Sequence, residues 1–404
     1  MANTLLTTDM ITKEALRVLK NNLAFAGSVN RSYDSTFAND GAQVGATARV
    51  RKPPKYAAVD GATISIQDSV ETKVDISLDK QKHVAMQFGS KDMTLSIEEF
   101  SKRFVVPAVA PLANKIDADG LALYKDIYNT VGVPGTAVTT LQKYLDGHAL
   151  LSNTGAPMNP RQAVIGPLAQ ASLVNGLSGL FNNQDLLAKQ YKKGVMFEAA
   201  GFEFQMDQNV ATHTVGPQGG TPLMNGATAS GASSIVTNGW TAAAASRLKQ
   251  GDVFTIAGVF GALPQSGDST TALQQFVVTA DVSSDGAGNA TIPISPSIVY
   301  VSGGASNTVT ALPVNGAALV LNGTAGLVGK ANMLFHPDAF ALVMADLKMP
   351  DGGAKGSIVK DEDLGLSIRF VSQYDISNDR NVYRLDVLYG WKTLYPELAC
   401  RLMS

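Results

Sequence analysis

The 404-residue sequence is short of the groups that covalent staples, metal centres and membrane spans require. Its one cysteine, Cys400, cannot form an intrachain disulfide, so the fold must stand on packing alone, which suits a reducing compartment. The four histidines, His83, His148, His213 and His336, lie far apart in sequence and at no metal-ligand spacing, which argues against a zinc centre or an activated nucleophile. No run approaches the ~18 apolar residues of a membrane span. The segment from Met1 to Asn22 places Asp9, Lys13, Glu14, Arg17 and Lys20 where a signal peptide needs an unbroken apolar core. These absences predict synthesis in the cytoplasm and no membrane partner. A formal charge of −2 argues against a dedicated nucleic-acid binder, which normally carries a cationic stripe to displace counterions from phosphates.

Charge is scarcest in one stretch. From Thr214 to Gly329 only Arg247, Lys249, Asp252, Asp268, Asp281 and Asp285 are charged, six in 116 residues against 16% for the whole chain, and no glutamate occurs. So abrupt a shift marks an inserted unit, bounded by the glycine-rich junctions Gly216 to Gly220 and Gly323 to Gly329. Short β runs at 233–236, 253–256, 276–279 and 290–294, with a tight turn at 285–289, predict a small antiparallel barrel or sandwich.

The host chain reads as α+β. Ile11, Ala15, Val18, Leu19 and Leu23 have helical spacing ahead of a loose stretch from Gly27 to Gly41. They form either an ordinary first helix or an arm that docks on another subunit. From Val44 to Phe88 the pattern has period two, with Val70, Thr72, Val74, Ile76 and Leu78 opposite Glu71, Lys73, Asp75, Ser77 and Asp79. Such a ribbon cannot bury enough by itself and needs a partner surface. Its cluster Arg49, Arg51, Lys52 and Lys55 is either a solvated face or a contact with acidic groups on a neighbouring subunit. Ser96-Ile97-Glu98-Glu99 fits a capping box, and the pattern predicts one long helix from Ser96 to Val131, broken at Pro107 and Pro111. After the insert, 333–335 reads as a strand, 339–347 as a helix, and 367–372 and 384–389 as strands.

The search for chemistry returns no catalytic, cofactor-binding or metal-binding residue. The segment Gly323 to Ala331 is superficially like a phosphate loop, but Thr324 and Ala331 stand where a glycine and a hydroxyl belong.

The order of parts resembles the major capsid protein of tailed bacteriophages, specifically the P22-like coat proteins. The ribbon running into Ser96-Ile97-Glu98-Glu99 carries the resemblance. So does the passage from Ala199-Ala200-Gly201-Phe202 through Asn209-Val210 into the insert with its segment Lys249 to Val259. The resemblance implies an HK97-type capsid fold: an N-terminal arm (1–43), an extended E-loop ribbon (44–92), a P-domain spine helix (93–137), a first P/A-domain part (138–215), an inserted β-barrel-like domain (216–326) and a second A/P-domain part (327–404). It implies a non-enzymatic structural protein without cofactors, assembling as hexamers and pentamers into an icosahedral head around double-stranded DNA. Its partners are then itself, a scaffolding protein, a portal protein and packaged DNA in non-specific proximity. Candidate inter-subunit contacts are Arg49, Arg51, Lys52, Lys55, Glu71 and Lys73. The alternatives are a cytoplasmic enzyme with an accessory β domain, or another virion part such as a tube or decoration protein.

Overall fold

The computed structural model describes residues 8–31, 47–52, 56, 72–88, 97–176, 198–264, 266–302, 304, 306–350, 355–361, 365–375 and 380–404. The chain forms two compact units, one of residues 1–52, 73–120 and 340–394, the other of 53–72, 121–339 and 395–404.

The first unit is built on a five-stranded sheet whose longest member is Arg380–Thr393. Phe340–Met344, Leu366–Asp375 and Lys80–Phe88 all pair antiparallel with it, and Lys355–Asp361 pairs with Leu366–Asp375. The segment expected to be a helix over 339–347 is instead a single 3-10 turn, Pro337–Ala339, followed by the strand Phe340–Met344. All five residues of that strand are buried, and a continuous apolar run of this length has no periodicity to separate strand from helix, so pairing with Met344↔Tyr389 through Phe340↔Thr393 decides.

The N-terminal helix Thr8–Asn22 packs on this same sheet. Ile11, Ala15, Val18 and Leu19 are buried, Thr12 Oγ1 lies 2.6 Å from Ser357 Oγ, and Lys20 pairs with Asp361 at 2.9 Å. The turn behind it is fixed by the buried carboxylate of Asp117, which accepts the amides of Ala24 and Ala26 at 2.8 Å each. Phe25 then sits fully buried beside Phe340 and Trp391, with ring centroids 5.4 and 5.3 Å away. Over residues 8–31 the stripe therefore belongs to an ordinary first helix of its own unit. The chain itself holds an apolar face that matches the stripe. Most of the loose stretch 27–41 lies outside the described residues.

The ribbon is present in part. Thr47–Lys52 pairs with Thr72–Ser77, and exposure alternates along the second strand as expected, with Ile76 and Leu78 buried and Lys73 and Asp75 exposed. Its continuation Lys80–Phe88 leaves the ribbon and joins the sheet over Asn381–Tyr389, so this half does not wait for a partner.

The predicted long helix is also divided. Ile97–Phe100 is α-helical, Ser101–Val105 is a π segment, and Val106–Leu121 is α-helical with Pro107 in its first turn and Pro111 inside it. The break precedes Pro107, whose missing N–H leaves the carbonyl of the preceding turn free for wider π bonding. Beyond Leu121 a 3-10 turn, Ala122–Asp126, ends the helix and Ile127 is extended. Thr130–Val131 is a strand, so the α-helix expected to reach Val131 ends at Leu121.

The second unit contains a seven-stranded sheet. Its order in space is Thr130–Val131, Ala399–Met403, Val328–Phe335, Gln162–Ile165, Phe202–Met206 and Glu198–Ala199, with Thr212–Thr214 also paired to Val328–Phe335. Helices Leu141–Asn153 and Pro167–Gly176 supply Tyr144, Leu151, Ala169 and Leu173 to its core, against Ile165, Phe202, Leu334, Cys400 and Leu402. The inserted segment follows as a six-stranded sheet ordered Leu319–Leu321, Val253–Ala262, Ser269–Val278, Ala290–Ile298, Ala232–Trp240 and Gly220–Met224, with a small Ala245–Leu248/Val282–Ser284 pair beside it. The first and last strands meet: Met224 donates to the Ala317 carbonyl at 2.9 Å, and Leu223 bridges Ala318. The sheet thus closes into a barrel around Ile235, Phe254, Ile256, Phe276, Ile292 and Ile298. The expected turn at 285–289 is present, with the Asp285 carboxylate accepting the amides of Ala287 and Asn289.

Gly120 lies on the helix face toward the first unit's core, where an added Cβ would sit 2.6 Å from Trp391 and 2.8 Å from Phe25. Gly120→Val is expected to lower stability by about 1–3 kcal/mol through overpacking. Urea unfolding of the unassembled subunit measures this, and an unchanged midpoint would refute the close packing.

Candidate functional site

The sequence-selected residues are not gathered into one place. Arg49 pairs with Asp75 across the ribbon at 3.2 Å, both side chains remaining solvent-exposed, and Lys73 is exposed on the neighbouring strand. Lys52 ends its strand, Arg51 is placed there by its backbone only, and Lys55 and Glu71 lie outside the described residues. Among the described residues no group of three or more histidine, cysteine, aspartate or glutamate side chains could hold a metal, and no helix is long and apolar enough to cross a membrane. A hollow of about 340 Å³ beside Val138, Pro167, Leu168 and Val210 is almost wholly apolar. The Lys330 ammonium at its edge is committed to the Val210 carbonyl at 2.9 Å. The segment that is superficially like a phosphate loop is a turn running into the strand Val328–Phe335.

A concentrated polar cluster lies at the root of the barrel. The chain enters through Thr212–Thr214 and leaves through Val328–Phe335, and the two pair in the register Val328↔Thr214, Gly329↔His213 and Lys330↔Thr212. This pairing places His213 inward, 4% exposed, with Nε2 2.9 Å from Asp252 Oδ1 and Nδ1 3.2 Å from the Tyr124 hydroxyl. An ionised carboxylate only accepts, so Nε2–H faces Asp252 and Nδ1 is left to accept the Tyr124 proton. Burial raises the Tyr124 pKa and keeps that proton in place. Asp252 Oδ2 also accepts the amides of Gly216 at 3.1 Å and Lys249 at 2.8 Å. Opposite stands Arg401, 2% exposed, donating from Nη1 to the Gly251 carbonyl at 2.7 Å and lying 5.8 Å from the Tyr124 ring centroid. Burial lowers the Arg401 pKa to about 10, which leaves the guanidinium charged at neutral pH to balance Asp252. Its members bond one another and the backbone, which fixes the barrel to the sheet that carries it.

Sequence reading missed this cluster. His213 and Asp252 are 39 residues apart, and only the strand register brings them together. A second histidine also meets a carboxylate, His336 Nδ1 lying 3.5 Å from Asp338. Burial lowers the His336 pKa more strongly than that aspartate raises it. His148 lies against Phe202 at 5.7 Å, while its carbonyl accepts from buried Arg161, and His83 is exposed. A detectable signal did exist: a charged residue inside a charge-starved segment has few solvating neighbours and needs a dedicated partner.

Comparison with known proteins adds the decisive observation. The family model described as P22 coat protein, gene protein 5, matches residues 1–403. The chain belongs to that family. It is accordingly a structural major capsid protein of the bacteriophage virion, with the HK97-type fold implied by the sequence resemblance, and it self-assembles into shell oligomers. No curated protein matches the chain. Among solved structures it is similar to one from Mycobacterium phage Che8 at 13% identity, over 94% of this chain and 90% of that one, with a TM-score of 0.46. It is similar to the bacteriophage PhiM1 mature capsid at 11% identity, over 92% and 88%, with a TM-score of 0.41. The CUS-3 coat protein I-domain is 23% identical over 26% of this chain and 97% of that one, with a TM-score of 0.20. In this coat protein the polar root is therefore an architectural joint.

Asp252→Ala is expected to cost about 3–5 kcal/mol, because it leaves the His213, Gly216 and Lys249 donors without their acceptor, at about 1–3 kcal/mol for each buried group left unsatisfied. Chemical denaturation of the unassembled subunit measures it, and a loss below 1 kcal/mol on the same scale would show that the joint is not energetically coupled. Burial pushes the Cys400 thiol from 9.0 up to about 12. Because the folded value exceeds the unfolded one, the thiol's contribution is intact below pH ~9 and is lost as pH rises toward ~12. Native protein at pH 8 is expected to resist alkylation at Cys400 and to react fully once unfolded, as read by mass spectrometry.

Proposed function

We propose that the chain builds the icosahedral head of a tailed bacteriophage, enclosing double-stranded DNA as hexamers and pentamers, with a scaffolding protein guiding closure and a portal protein at one vertex. The observation that carries this is the family match over residues 1–403. The role is that of a wall and not of an enzyme, with synthesis and assembly in the cytoplasm of the bacterial host. A formal charge of −2 suits a container that must lie beside packaged DNA without gripping it.

On this reading, residues 1–43 are the N-terminal arm, 44–92 the E-loop, 93–137 the P-domain spine, 138–215 and 327–404 the split host domain, and 216–326 the insertion domain. The candidates Arg49, Arg51, Lys52, Lys55, Glu71 and Lys73 are proposed as contacts between subunits. The exposed position of Lys73 and the exposed Arg49–Asp75 pair support this, because little on the ribbon's own surface shields them. Exposed ion pairs of this kind set register and rate of encounter more than affinity.

Coexpression with its scaffolding protein is expected to yield closed particles of megadalton mass in sedimentation and round shells in negative stain. Rods would favour a tube protein, and a small discrete oligomer would favour the enzyme reading. Charge reversal at Arg49 and Lys73 together is expected to reduce particle yield without changing the subunit's unfolding midpoint.

A further inference from the structure

The two-residue strand Thr130–Val131 is the terminal member of the second unit's seven-stranded sheet. On one side it pairs in parallel with Arg401–Leu402, and the Asn129 carbonyl accepts the Arg401 amide at 2.8 Å. Peptide groups of successive strand residues point to opposite edges. The amide and carbonyl of Thr130 therefore face away from the sheet, where a further strand would pair. Among the described residues no backbone pairs with them there. The Gln275 side chain, projecting from the barrel strand Ser269–Val278, occupies the place: its Oε1 accepts the Thr130 amide at 2.6 Å, and its Nε2 donates to the Thr130 carbonyl at 2.9 Å. One carboxamide thus reproduces the two-bond exchange of an antiparallel residue pair. A second barrel-derived side chain continues the pattern, with Asn322 Nδ2 donating to the Gly132 carbonyl at 3.1 Å. Tyr128 packs against Val253 and Val277 of the barrel and seals the same edge from the apolar side.

We infer that the inserted barrel caps the open edge of its host's sheet through Gln275, with Asn322 in support, so that this edge is closed to pairing with another chain. An unpaired strand edge is a template for a second strand. The hazard grows with the local concentration of identical chains, which a self-assembling shell protein makes extreme; this crowding argument rests on the proposed shell, whereas the hydrogen-bond assignment does not. Gln275 is a positioning residue. Its amide is neutral, so it satisfies donor and acceptor at once, which no carboxylate or ammonium can do.

The test uses the full-length unassembled subunit and reads amide hydrogen exchange. In Gln275→Ala the Thr130 amide is expected to exchange roughly 10-fold faster or more, as loss of a buried two-point bond implies. Amides of Phe254, Phe276 and Ile292 in the barrel core should keep their wild-type rates. Gln275→Glu retains the acceptor but sets a carboxylate oxygen against the Thr130 carbonyl, and it should accelerate the same amide. Both variants are expected to give more pelletable aggregate than wild type on refolding at equal concentration. Unchanged Thr130 exchange in both variants would overturn the inference, as would acceleration spread evenly over the barrel core. Should Gln275→Ala fail to fold, Asn322→Ala removes the outer bond alone and is expected to raise exchange and aggregation to a smaller degree; wild-type values for both would likewise overturn it. None of these readouts depends on whether shells form.

Discussion

The structure of the second unit turns on a buried carboxylate that has to be fully paired. Asp252 is 3% exposed, and a charge withdrawn that far from water costs several kcal/mol unless hydrogen bonds and a counter-charge replace its hydration. Its donors come from the entry strand, the second residue beyond it and its own turn: His213, Gly216 and Lys249. Its counter-charge comes from the final strand through Arg401, and Tyr124 at the end of the helical spine closes the ring of contacts. Four segments separated by up to 277 positions in sequence must therefore converge before the charge is tolerated. A barrel docked in any other orientation would leave Asp252 buried without its donors.

That constraint gives the low charge of the insert a different meaning from simple inertness. Of its six charged residues, Asp252 and Arg247 are buried. Arg247 donates to the Gln218, Thr241 and Ala243 carbonyls and to Ser284, tying the small Ala245–Leu248/Val282–Ser284 pair to the barrel's entry. Asp285 holds its own turn, and Asp281 accepts the Gln250 amide. Four of the six thus organise backbone, Arg247 and Asp252 from buried positions, while Lys249, Asp268, Asp281 and Asp285 stay exposed. Solubility of the module then rests on these four together with serine, threonine and exposed backbone, while specificity rests on the two desolvated charges. Such an arrangement is insensitive to salt, because buried pairs are screened far less than exposed ones.

Sequence reading succeeded where one local rule acted alone. Alternation of exposure fixed the ribbon strand through Ile76 and Leu78, and Asp285-Gly286-Ala287-Gly288-Asn289 announced its turn by chemistry that needs no distant partner. It failed where tertiary pairing overrode a local signal. Ile127 and Val131 continued a helical count, yet Thr130–Val131 is drawn into a strand by Arg401–Leu402. The run 340–344 had no period at all, and its strand identity came from Arg380–Thr393. The polar root was illegible for the same reason: nothing local to His213 points to Asp252, Tyr124 or Arg401. The coat-protein family was legible from the order of whole segments, because a layout survives when individual contacts do not.

The placement of the N-terminal helix changes how assembly must be powered. Had residues 8–31 been unstructured until docking on a neighbour, association would have to offset their ordering, at ~1–2 kcal/mol per residue of backbone entropy. With Ile11, Ala15, Leu19 and Phe25 already buried and Asp117 holding Ala24 and Ala26, that cost is met when the subunit folds. For residues 8–31, contacts between subunits then need to offset no such backbone ordering, which favours weak, repeated and reversible interfaces. Reversibility is what a closing shell requires, since a misplaced subunit must be able to leave before its neighbours lock it in.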